Sequence, residues 1–254
     1  MYIPRTLEKV LVKYIKRKEI IAVIGPRQCG KTTLLHHIFK GLKNAAFISF
    51  EDREKLELFT TDLNAFIELY VKPYKYLFID EFQYANNGGK NLKLIYDSYD
   101  TKIFISGSSA TGLTIKSVKY LVGRIFVFTL FPFSFDEFLS YKDEKTYQKI
   151  YRKGNLSKVI IENIYKHYEE YAVYGGYPRA VIANDKEEKK IVLKNIYNTY
   201  FLKEIKEILG LSTDFKLSKL IKAFALQAGN LISYNELSAL TGFSHYELLH
   251  ISIF

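Results

Sequence analysis

The sequence has few of the features that mark secreted or membrane proteins. It contains a single cysteine, Cys29, so the chain cannot form an internal disulfide, which fits a reducing compartment. The N-terminal residues carry scattered charges and no apolar core, so they are not a signal peptide. The longest apolar run, IFVFTLFPF, is far too short to span a membrane. These absences predict a cytoplasmic protein without a membrane partner.

Positive charge exceeds negative charge over the whole chain. The formal net charge is +10, from 37 lysines and arginines against 27 acidic residues. A basic balance favours acidic partners such as nucleic acid. The lysines are equally explained as solvated helix faces, because no run of them is dense enough to define a patch. Charge alone therefore leaves both a nucleic-acid partner and simple solvation of the lysines open.

The first 130 residues alternate between apolar strands and amphipathic helices. The predicted strands lie in five segments, EIIAVI, NAAFISF, YKYLFID, TKIFISG and RIFVFTLF. Between them, TTDLNAFIELYV is predicted to be a helix that begins at Thr60 or Thr61, and TIKSVKYLV a short helix. This alternation predicts an α/β three-layer domain whose five-stranded parallel sheet is covered on both faces.

The periodicity changes to helical after the segment FPFSFDEFL. From about Lys149 to Gly229, three predicted helices each end at glycine: one at the Gly175–Gly176 pair, one at Gly210 and one at Gly229. The sequence therefore predicts a helical second domain after the α/β domain.

A phosphate-binding motif follows the first strand. The stretch GPRQCGKTT matches G-x-x-x-x-G-K-[ST], and its residues are Gly25, Pro26, Arg27, Gln28, Cys29, Gly30, Lys31, Thr32 and Thr33. Glycines let successive backbone N–H groups face inward at a helix N-terminus, which binds phosphate oxygens. Lys31 is predicted to reach the β- and γ-phosphates of ATP, and the Thr32 hydroxyl to ligate Mg²⁺. Cys29 is interpreted as a small apolar filler.

Acidic residues complete the predicted nucleotide site. The strand YLFID ends in Asp80, followed by Glu81. We expect Asp80 to hold the Mg²⁺ shell from a strand beside the phosphate-binding strand, and Glu81 to polarise an attacking water as general base. Ser106 and Ser108 end the fourth strand, where their hydroxyls could sense the γ-phosphate. The alternative for these serines is an ordinary turn.

Arg124 stands at the start of the fifth strand, in VGRIFVF. An arginine there could reach a phosphate in a neighbouring subunit and neutralise charge in the transition state, which would make the protein a homo-oligomer. A surface ion pair explains the same residue equally well.

These motifs together resemble a prokaryotic family of AAA+-type ATPases related to the origin-recognition and STAND ATPases. The resemblance rests on GPRQCGKTT, LFIDEFQ, ISGSSA, LVGRIFVFTLFPFSFDEFL and YGGYPRAV, which stand in one order along the chain. It implies an AAA+-like P-loop domain at 1–140, an α-helical lid at 141–230 and a partial winged helix at 231–254. Family members typically continue through a whole winged helix into a nuclease-like domain.

The resemblance also implies roles for individual residues. Lys31 and Thr32 become the phosphate and Mg²⁺ residues, Asp80 and Glu81 the Mg²⁺-water and catalytic acids, Ser108 the sensor and Arg124 the arginine finger. The segment GGYPRA resembles the Gly-x-Pro element of the STAND lid, which implies that Gly176, Tyr177 and Pro178 lie over adenine. Arg5 matches an N-terminal arginine that lies near the nucleotide. Cys29 departs from the valine usual at its position.

The C-terminal residues resemble only the opening of a winged helix, SYNELSALTGFSHYELLHISIF. Leu237 and Leu240 are predicted to share the apolar face of the first helix, and Ser244 to cap the second. The sequence ends in ISIF, before a wing or a nuclease-like domain, so we expect a shortened relative with weak DNA binding.

Three functions remain open at this point. The first is an Mg²⁺-dependent ATPase in which ATP hydrolysis drives a conformational switch of the lid. The second is a STAND-like switch that holds ATP or ADP without significant hydrolysis and acts through a partner. The third is a DNA-binding module that ATP regulates. Glu81 favours the enzyme, because a binding-only switch would not require a second acid.

Overall fold

The computed structural model describes residues 2–108, 120–151, 156–201, 214–227 and 229–252. The chain divides into two compact units, Met1–Leu193 and Lys194–Phe254. The predicted boundaries at 140 and 230 do not coincide with this division, and the three-domain organisation stays a prediction. The predicted helix in TIKSVKYLV, up to residue 119, and the predicted helix end at Gly210 lie outside the described residues.

Five strands of the first unit form one parallel sheet. They are β1 (Ile20–Gly25), β2 (Ala45–Ser49), β3 (Tyr76–Asp80), β4 (Lys102–Ser108) and β5 (Ile125–Thr129). Their order across the sheet is β2-β3-β4-β1-β5, and each neighbouring pair is parallel. Every residue of β1 and β4 is buried, as expected for central strands that are covered on both faces. The predicted α/β fold with a five-stranded parallel sheet is confirmed.

Helices precede, separate and follow these strands. Before residue 202 they are α1 (Thr6–Tyr14), α2 (Lys31–Lys40), α3 (Arg53–Thr61), α4 (Leu63–Phe66), α5 (Gly89–Ser98), α6 (Phe135–Lys142), α7 (Glu144–Ile150), α8 (Lys158–Tyr174), α9 (Pro178–Ile182) and α10 (Lys186–Ile196). A π-helical turn, Ile67–Val71, continues α4, and another, Tyr197–Phe201, continues α10. A 3₁₀ turn, Phe82–Tyr84, follows β3.

The prediction that Thr60 or Thr61 caps a helix is wrong. Both threonines lie in the last turn of α3, where their hydroxyls donate to backbone oxygens of the same helix. Asp62 caps α4 instead, and its carboxylate accepts a hydrogen bond from the N–H of Ala65 at 3.0 Å. The helix starts earlier than predicted because Asp52 already caps α3 ahead of an uninterrupted run of helix-forming residues.

Alternate residues of β1 supply the two apolar cores of the α/β domain. Ile20 and Ala22 pack into the cluster that holds the α3 and α5 side chains. Ile21 and Val23 pack into the second cluster, with Leu11 of α1 and residues of α2. A strand of period two that is apolar at every position can bury both faces in this way, so the helices are held on both sides of the sheet.

Beyond residue 213, the second unit contains the helices α11 (Asp214–Leu226), α12 (Tyr234–Thr241) and α13 (His245–Ser252). Leu237 and Phe243 are buried in its core. Ser244 caps α13 as predicted: its hydroxyl accepts from the N–H of Glu247, whose carboxylate accepts from the N–H of Ser244.

Leu240 does not share the apolar face of α12 with Leu237. It is 58% exposed, whereas Thr241 is buried and its hydroxyl donates to the backbone oxygen of Leu237. A threonine that satisfies its hydroxyl on its own helix can be buried, so the i, i+4 pair forms the inner face in place of the predicted i, i+3 pair. In the part of the chain that is described, no helix has the length and apolar character that a membrane span requires.

Candidate functional site

The loop between β1 and α2 closes tightly on a neighbouring strand. Gly25 has a φ of +154°, and a Cβ at this position would lie 2.1 Å from the backbone oxygen of Leu130, which follows β5. Gly30 has a φ of +98° and ends the loop at the N-terminus of α2. Both conformations favour glycine, so the spacing of the two glycines follows from the shape of the loop.

Lys31 lies inside this loop. Its side chain is buried, and its Nζ donates to the backbone oxygens of Gly25 and Pro26 at 3.0 Å each. The loop residues Pro26, Arg27 and Gln28 are half-buried. The loop therefore wraps an ammonium group at a helix N-terminus, where both the charge and the helix dipole attract anions.

Cys29 faces the apolar core and not the loop interior. Its side chain is fully buried in the same cluster as Leu34, and burial raises the pKa of the thiol. A buried thiol of raised pKa is unreactive at neutral pH, so this position supports a packing role for Cys29. Thr33, the last residue of the motif, is exposed.

Thr32, Asp80 and Ser106 form one hydrogen-bonded chain across the carboxyl edge of the sheet. The Thr32 hydroxyl donates to Asp80 Oδ2 at 2.8 Å, and the buried Ser106 hydroxyl donates to Asp80 Oδ1. The expectation that Asp80 ends a strand beside β1 is wrong, since β4 lies between β1 and β3. Ser106 is on that intervening strand, so it supports the carboxylate from the side while Thr32 meets it from α2.

Glu81 has a left-handed backbone, and one contact holds its backbone while another holds its side chain. Its φ is +55°, a costly conformation for a residue with a side chain. Its N–H donates to Ser106 Oγ at 3.1 Å, and its carboxylate accepts a hydrogen bond from the side-chain amide of Gln83. The amide oxygen of Gln83 in turn accepts from the N–H of Ser108 at 3.3 Å. Ser108 is the register partner of Gly25, so this second chain of contacts reaches the start of the phosphate-binding loop.

Arg5 lies against the phosphate-binding loop, but its guanidinium binds protein groups. Nη1 donates to the backbone oxygen of Cys29 at 2.9 Å, Nη2 to that of Phe131 at 2.5 Å, and Nε to Glu137 at 3.1 Å. The residue is 5% exposed, and its guanidinium also covers the ring of Phe133. These contacts favour a role in which Arg5 holds the loop in place.

The GGYPRA segment lies beside the same loop. Gly176 accepts a backbone hydrogen bond from Phe133 at 2.7 Å, and a Cβ on Gly176 would lie 2.0 Å from the Phe133 oxygen. Pro178 begins α9, and its ring lies 3.9 Å from the place that a Cβ on Gly30 would occupy. Tyr177, between them, is half-buried. The segment predicted to cover adenine is thus adjacent to the end of the phosphate-binding loop.

Arg124 is not brought to this site in its own chain. Arg124 precedes the N-terminal end of β5, whereas the loop follows the C-terminal end of β1. Because the two strands are parallel, these positions lie at opposite ends of the strands. Its guanidinium pairs with Asp97 at 2.8 Å, and this pairing holds the pKa of the Asp97 carboxyl below its usual range. Within one chain, Arg124 therefore forms an ion pair. A role as an arginine finger would require a phosphate that is bound to a second copy of the chain.

Two residues of the site were missed by sequence reasoning. Glu137 accepts hydrogen bonds from Arg5, from the N–H of Thr6 and from the N–H of Ser134. The sequence did contain a signal for Glu137, because Ser134 and Glu137 have the spacing of a capping box. The structure contains this capping box. Gln83 is the last residue of the motif LFIDEFQ, but its spacing from Glu81 predicts no contact between the two side chains.

The donor set of the site suits Mg²⁺ and a nucleotide phosphate. Thr32 Oγ1 and Asp80 Oδ2 are hard oxygen donors that already lie within 2.8 Å of each other, and Mg²⁺ prefers such ligands. The loop adds a buried ammonium and a helix N-terminus for phosphate oxygens.

Comparison with known proteins agrees with this geometry. Residues 17–139 match the AAA domain family, and residues 165–250 match DUF8612, a domain of unknown function. An uncharacterized protein of Methanocaldococcus jannaschii is 30% identical over 200 residues, which cover 77% of this chain and 44% of that protein. An uncharacterized protein of Haemophilus influenzae is 26% identical over 241 residues, 90% of this chain and 56% of that protein. The chain thus spans about half the length of these relatives.

Two solved structures share part of the architecture. The Walker-type ATPase PABY2304 of Pyrococcus abyssi has a TM-score of 0.46 at 15% identity, covering 89% of this chain and 77% of that one. Domain III of the replication initiation protein DnaA from Thermotoga maritima has a TM-score of 0.44 at 15% identity, covering 94% and 92%. The family match, the motif and the sheet order together identify residues 17–139 as an AAA-type P-loop domain.

Proposed function

We propose that this chain binds ATP with Mg²⁺ and hydrolyses it to ADP and phosphate. The observation that carries the proposal is the hydrogen-bonded chain Thr32–Asp80–Ser106 beside a loop that encloses the Lys31 ammonium. The Lys31 ammonium is buried and donates to backbone oxygens of that loop, although the burial of a charged group is costly. A phosphate-binding loop requires such a group.

In this proposal the loop holds the triphosphate. Backbone N–H groups at the start of α2 contact the phosphate oxygens, and Lys31 exchanges a loop carbonyl for the β- and γ-phosphates. The loop residues Pro26 to Gln28 form its outer wall. Arg5 and Pro178 support the end of the loop at Gly30, and Tyr177 with Pro178 covers the base.

Thr32 and Asp80 would hold Mg²⁺, with Asp80 acting directly or through bound water. When bound, the metal neutralises phosphate charge that develops during the transfer. Ser106 keeps the Asp80 carboxylate in one orientation, because it donates to the oxygen that Thr32 does not use.

Glu81 is the general base. A water oxygen forms a bond to the γ-phosphorus, and the bond from that phosphorus to the β–γ bridging oxygen breaks. The water proton passes to the Glu81 carboxylate, and ADP carries away the electron pair of the broken bond. Ser108 contacts the γ-phosphate side of the site. In an oligomer, Arg124 of a neighbouring subunit neutralises charge at the same phosphate.

Hydrolysis drives a movement of the helical lid in this proposal. The support is the contact chain from the loop to the helices: Arg5 touches both Cys29 and Glu137, and Gly176 bonds to Phe133. A change in the loop would therefore alter the contacts that position α6 and α9. A partner protein or DNA would then read the lid position.

Phosphate release and ATP affinity, measured on the same samples, test the proposal. Lys31→Ala should weaken Mg-ATP binding strongly, while Glu81→Gln should keep binding and lower turnover by ~10²-fold or more. Lys40→Ala, on the exposed end of α2, and Glu51→Gln, an exposed acid, are matched controls that should behave as wild type. Equal ATP affinity in wild type and Lys31→Ala would refute the binding site.

The same experiment separates the enzyme from a nucleotide-held switch. Tight ATP binding without turnover, with and without DNA, RNA and cell extract, would favour the switch.

A second candidate function is ATP-regulated DNA binding. Its support is the net charge of +10 and the pair α12 and α13, joined by a turn in which Gly242 has a φ of +76°. Fluorescence anisotropy with duplex DNA at several salt concentrations tests it. We expect weak, salt-sensitive binding, and tight site-specific binding would make DNA recognition the main function.

A further inference from the structure

Gln83 joins the proposed general base to the end of β4. Its side-chain amide donates to the Glu81 carboxylate, and its amide oxygen accepts from the Ser108 N–H at 3.3 Å. Neither contact belongs to the phosphate-binding loop or to the Thr32–Asp80 pair. The neighbouring Phe82 is fully buried in the core, so the 3₁₀ turn that carries Gln83 is anchored beside the site.

The two contacts fix which way the amide points. A backbone N–H can only donate, so the end of the amide that faces Ser108 must be the oxygen. The NH₂ end then faces Glu81, and a carboxylate oxygen of Glu81 accepts its hydrogen bond. A side chain held at both ends has lost its freedom to rotate away, so Glu81 Oε2 has a fixed partner.

The backbone of Glu81 is held independently. Its N–H donates to Ser106 Oγ, which also donates to Asp80. The contact with Ser106 therefore stabilises the left-handed backbone of Glu81, whose φ is +55°. The same serine orients the Asp80 carboxylate. The side chain of Glu81 can still rotate, and its hydrogen bond with Gln83 restrains that rotation.

We propose that Gln83 is the positioning residue of Glu81: it holds the carboxylate where it can accept the water proton, and it ties that position to Ser108. The proposal rests on the proposed ATPase function and gives a role to a residue for which the motifs implied none. Because the Ser108 N–H is the far end of the link, a shift of the end of β4 on phosphate binding changes the place of the Glu81 carboxylate. Gln83 touches neither phosphate nor metal in this scheme.

Two substitutions separate positioning from space filling. Gln83→Ala removes the link, whereas Gln83→Glu keeps the size and the acceptor for Ser108 but cannot donate to Glu81 and repels its carboxylate. Gln148→Ala is the matched control, since Gln148 donates to Glu144 at 2.9 Å on the exposed helix α7. Each change is made in the wild-type protein and in Glu81→Gln, and turnover and ATP affinity are measured for all of them.

We expect both Gln83 variants to lower kcat about 10-fold or more, the scale of a lost hydrogen bond to a charged group, with ATP affinity within about 2-fold of wild type. In the Glu81→Gln background the same changes should have almost no further effect, because the residue acts only through Glu81. Gln148→Ala should match wild type in every measurement.

Different results overturn different claims. Wild-type kcat in a folded Gln83→Ala or Gln83→Glu, beside an inactive Glu81→Gln, would overturn the role of Gln83 and leave the ATPase intact. An equal loss in the Glu81→Gln background, or a parallel loss of ATP affinity, would also overturn it. If Gln83→Ala does not fold, Gln83→Met, which has a similar size and no charge but cannot donate to Glu81, decides. A wild-type protein without turnover would overturn the proposed enzyme and this inference together.

Discussion

The hydroxyl of Thr32 donates to the carboxylate of Asp80 over 2.8 Å, although the two residues are 48 positions apart in the chain. Thr32 lies in the first turn of α2, after the phosphate-binding loop, and Asp80 ends β3, which lies two strands from β1 in the sheet. The contact joins the loop end of α2 to the carboxyl end of β3.

Thr32→Ala should lower the affinity for Mg-ATP by about 10-fold, because it removes an oxygen ligand, and Thr32→Ser should restore most of it. Calorimetric titration with and without EDTA measures this. Once the metal is removed, wild type and Thr32→Ala should bind ATP alike. Thr61→Ala, at an exposed threonine of α3 outside the site, is the control. A loss in Thr32→Ala that persists in EDTA would contradict the metal role.

Arg5→Ala should destabilise the first unit by about 3–5 kcal/mol, since it leaves the buried Glu137 carboxylate without its charged partner. Urea unfolding measures the difference in free energy. Arg5→Lys should recover only part of it, because an ammonium cannot reproduce the three directed contacts of the guanidinium. Arg53→Ala, at an exposed arginine, should change stability by less than about 0.5 kcal/mol. Wild-type stability in Arg5→Ala would mean that the loop does not depend on this pair.

Arg124→Ala and Asp97→Ala together decide between an arginine finger and a surface ion pair. A finger predicts that Arg124→Ala lowers kcat by about 10-fold or more while Asp97→Ala keeps it, since only the guanidinium acts on the phosphate. Mixing Arg124→Ala with Lys31→Ala protein should then restore part of the turnover. Wild-type turnover in both variants, with a monomer in sedimentation even in ATP, would leave Arg124 with its ion pair alone.

Lys102 should make the stability of the protein depend on pH in the alkaline range. Burial lowers the pKa of Lys102 to about 8, although its Nζ donates to the backbone oxygens of Arg17 and Glu19. Between pH 8 and the pKa of a lysine in the unfolded chain, about 10.4, the unfolded chain binds more protons than the folded chain. The free energy of unfolding therefore rises with pH through this window.

The measurement compares wild type with Lys102→Met by urea unfolding at several pH values. The difference between them should shift in favour of wild type by at most about 3 kcal/mol from pH 8 to pH 10.5, and other alkaline groups cancel because both proteins contain them. A difference that stays constant over this range would show that the ammonium is not desolvated.

The sequence by itself determined the local chemistry of the site. Glycine spacing, a lysine and a threonine after an apolar strand give the phosphate-binding loop, because the left-handed angles and the helix N-terminus are short-range properties. The alternation of apolar segments likewise determined a parallel α/β sheet. The acids at the end of β3 were recognisable because the carboxyl ends of parallel strands meet at one edge.

Only the tertiary structure decided which of these residues meet. Strand order places β4 between β1 and β3, so Ser106 supports Asp80, and this order depends on contacts between residues far apart in the chain. Arg5 is joined to Glu137 across 132 positions, and Arg124 lies at the edge opposite the loop. Local periodicity determines an element and its faces, whereas pairings across the sheet come from the packing of whole elements, which no short segment encodes.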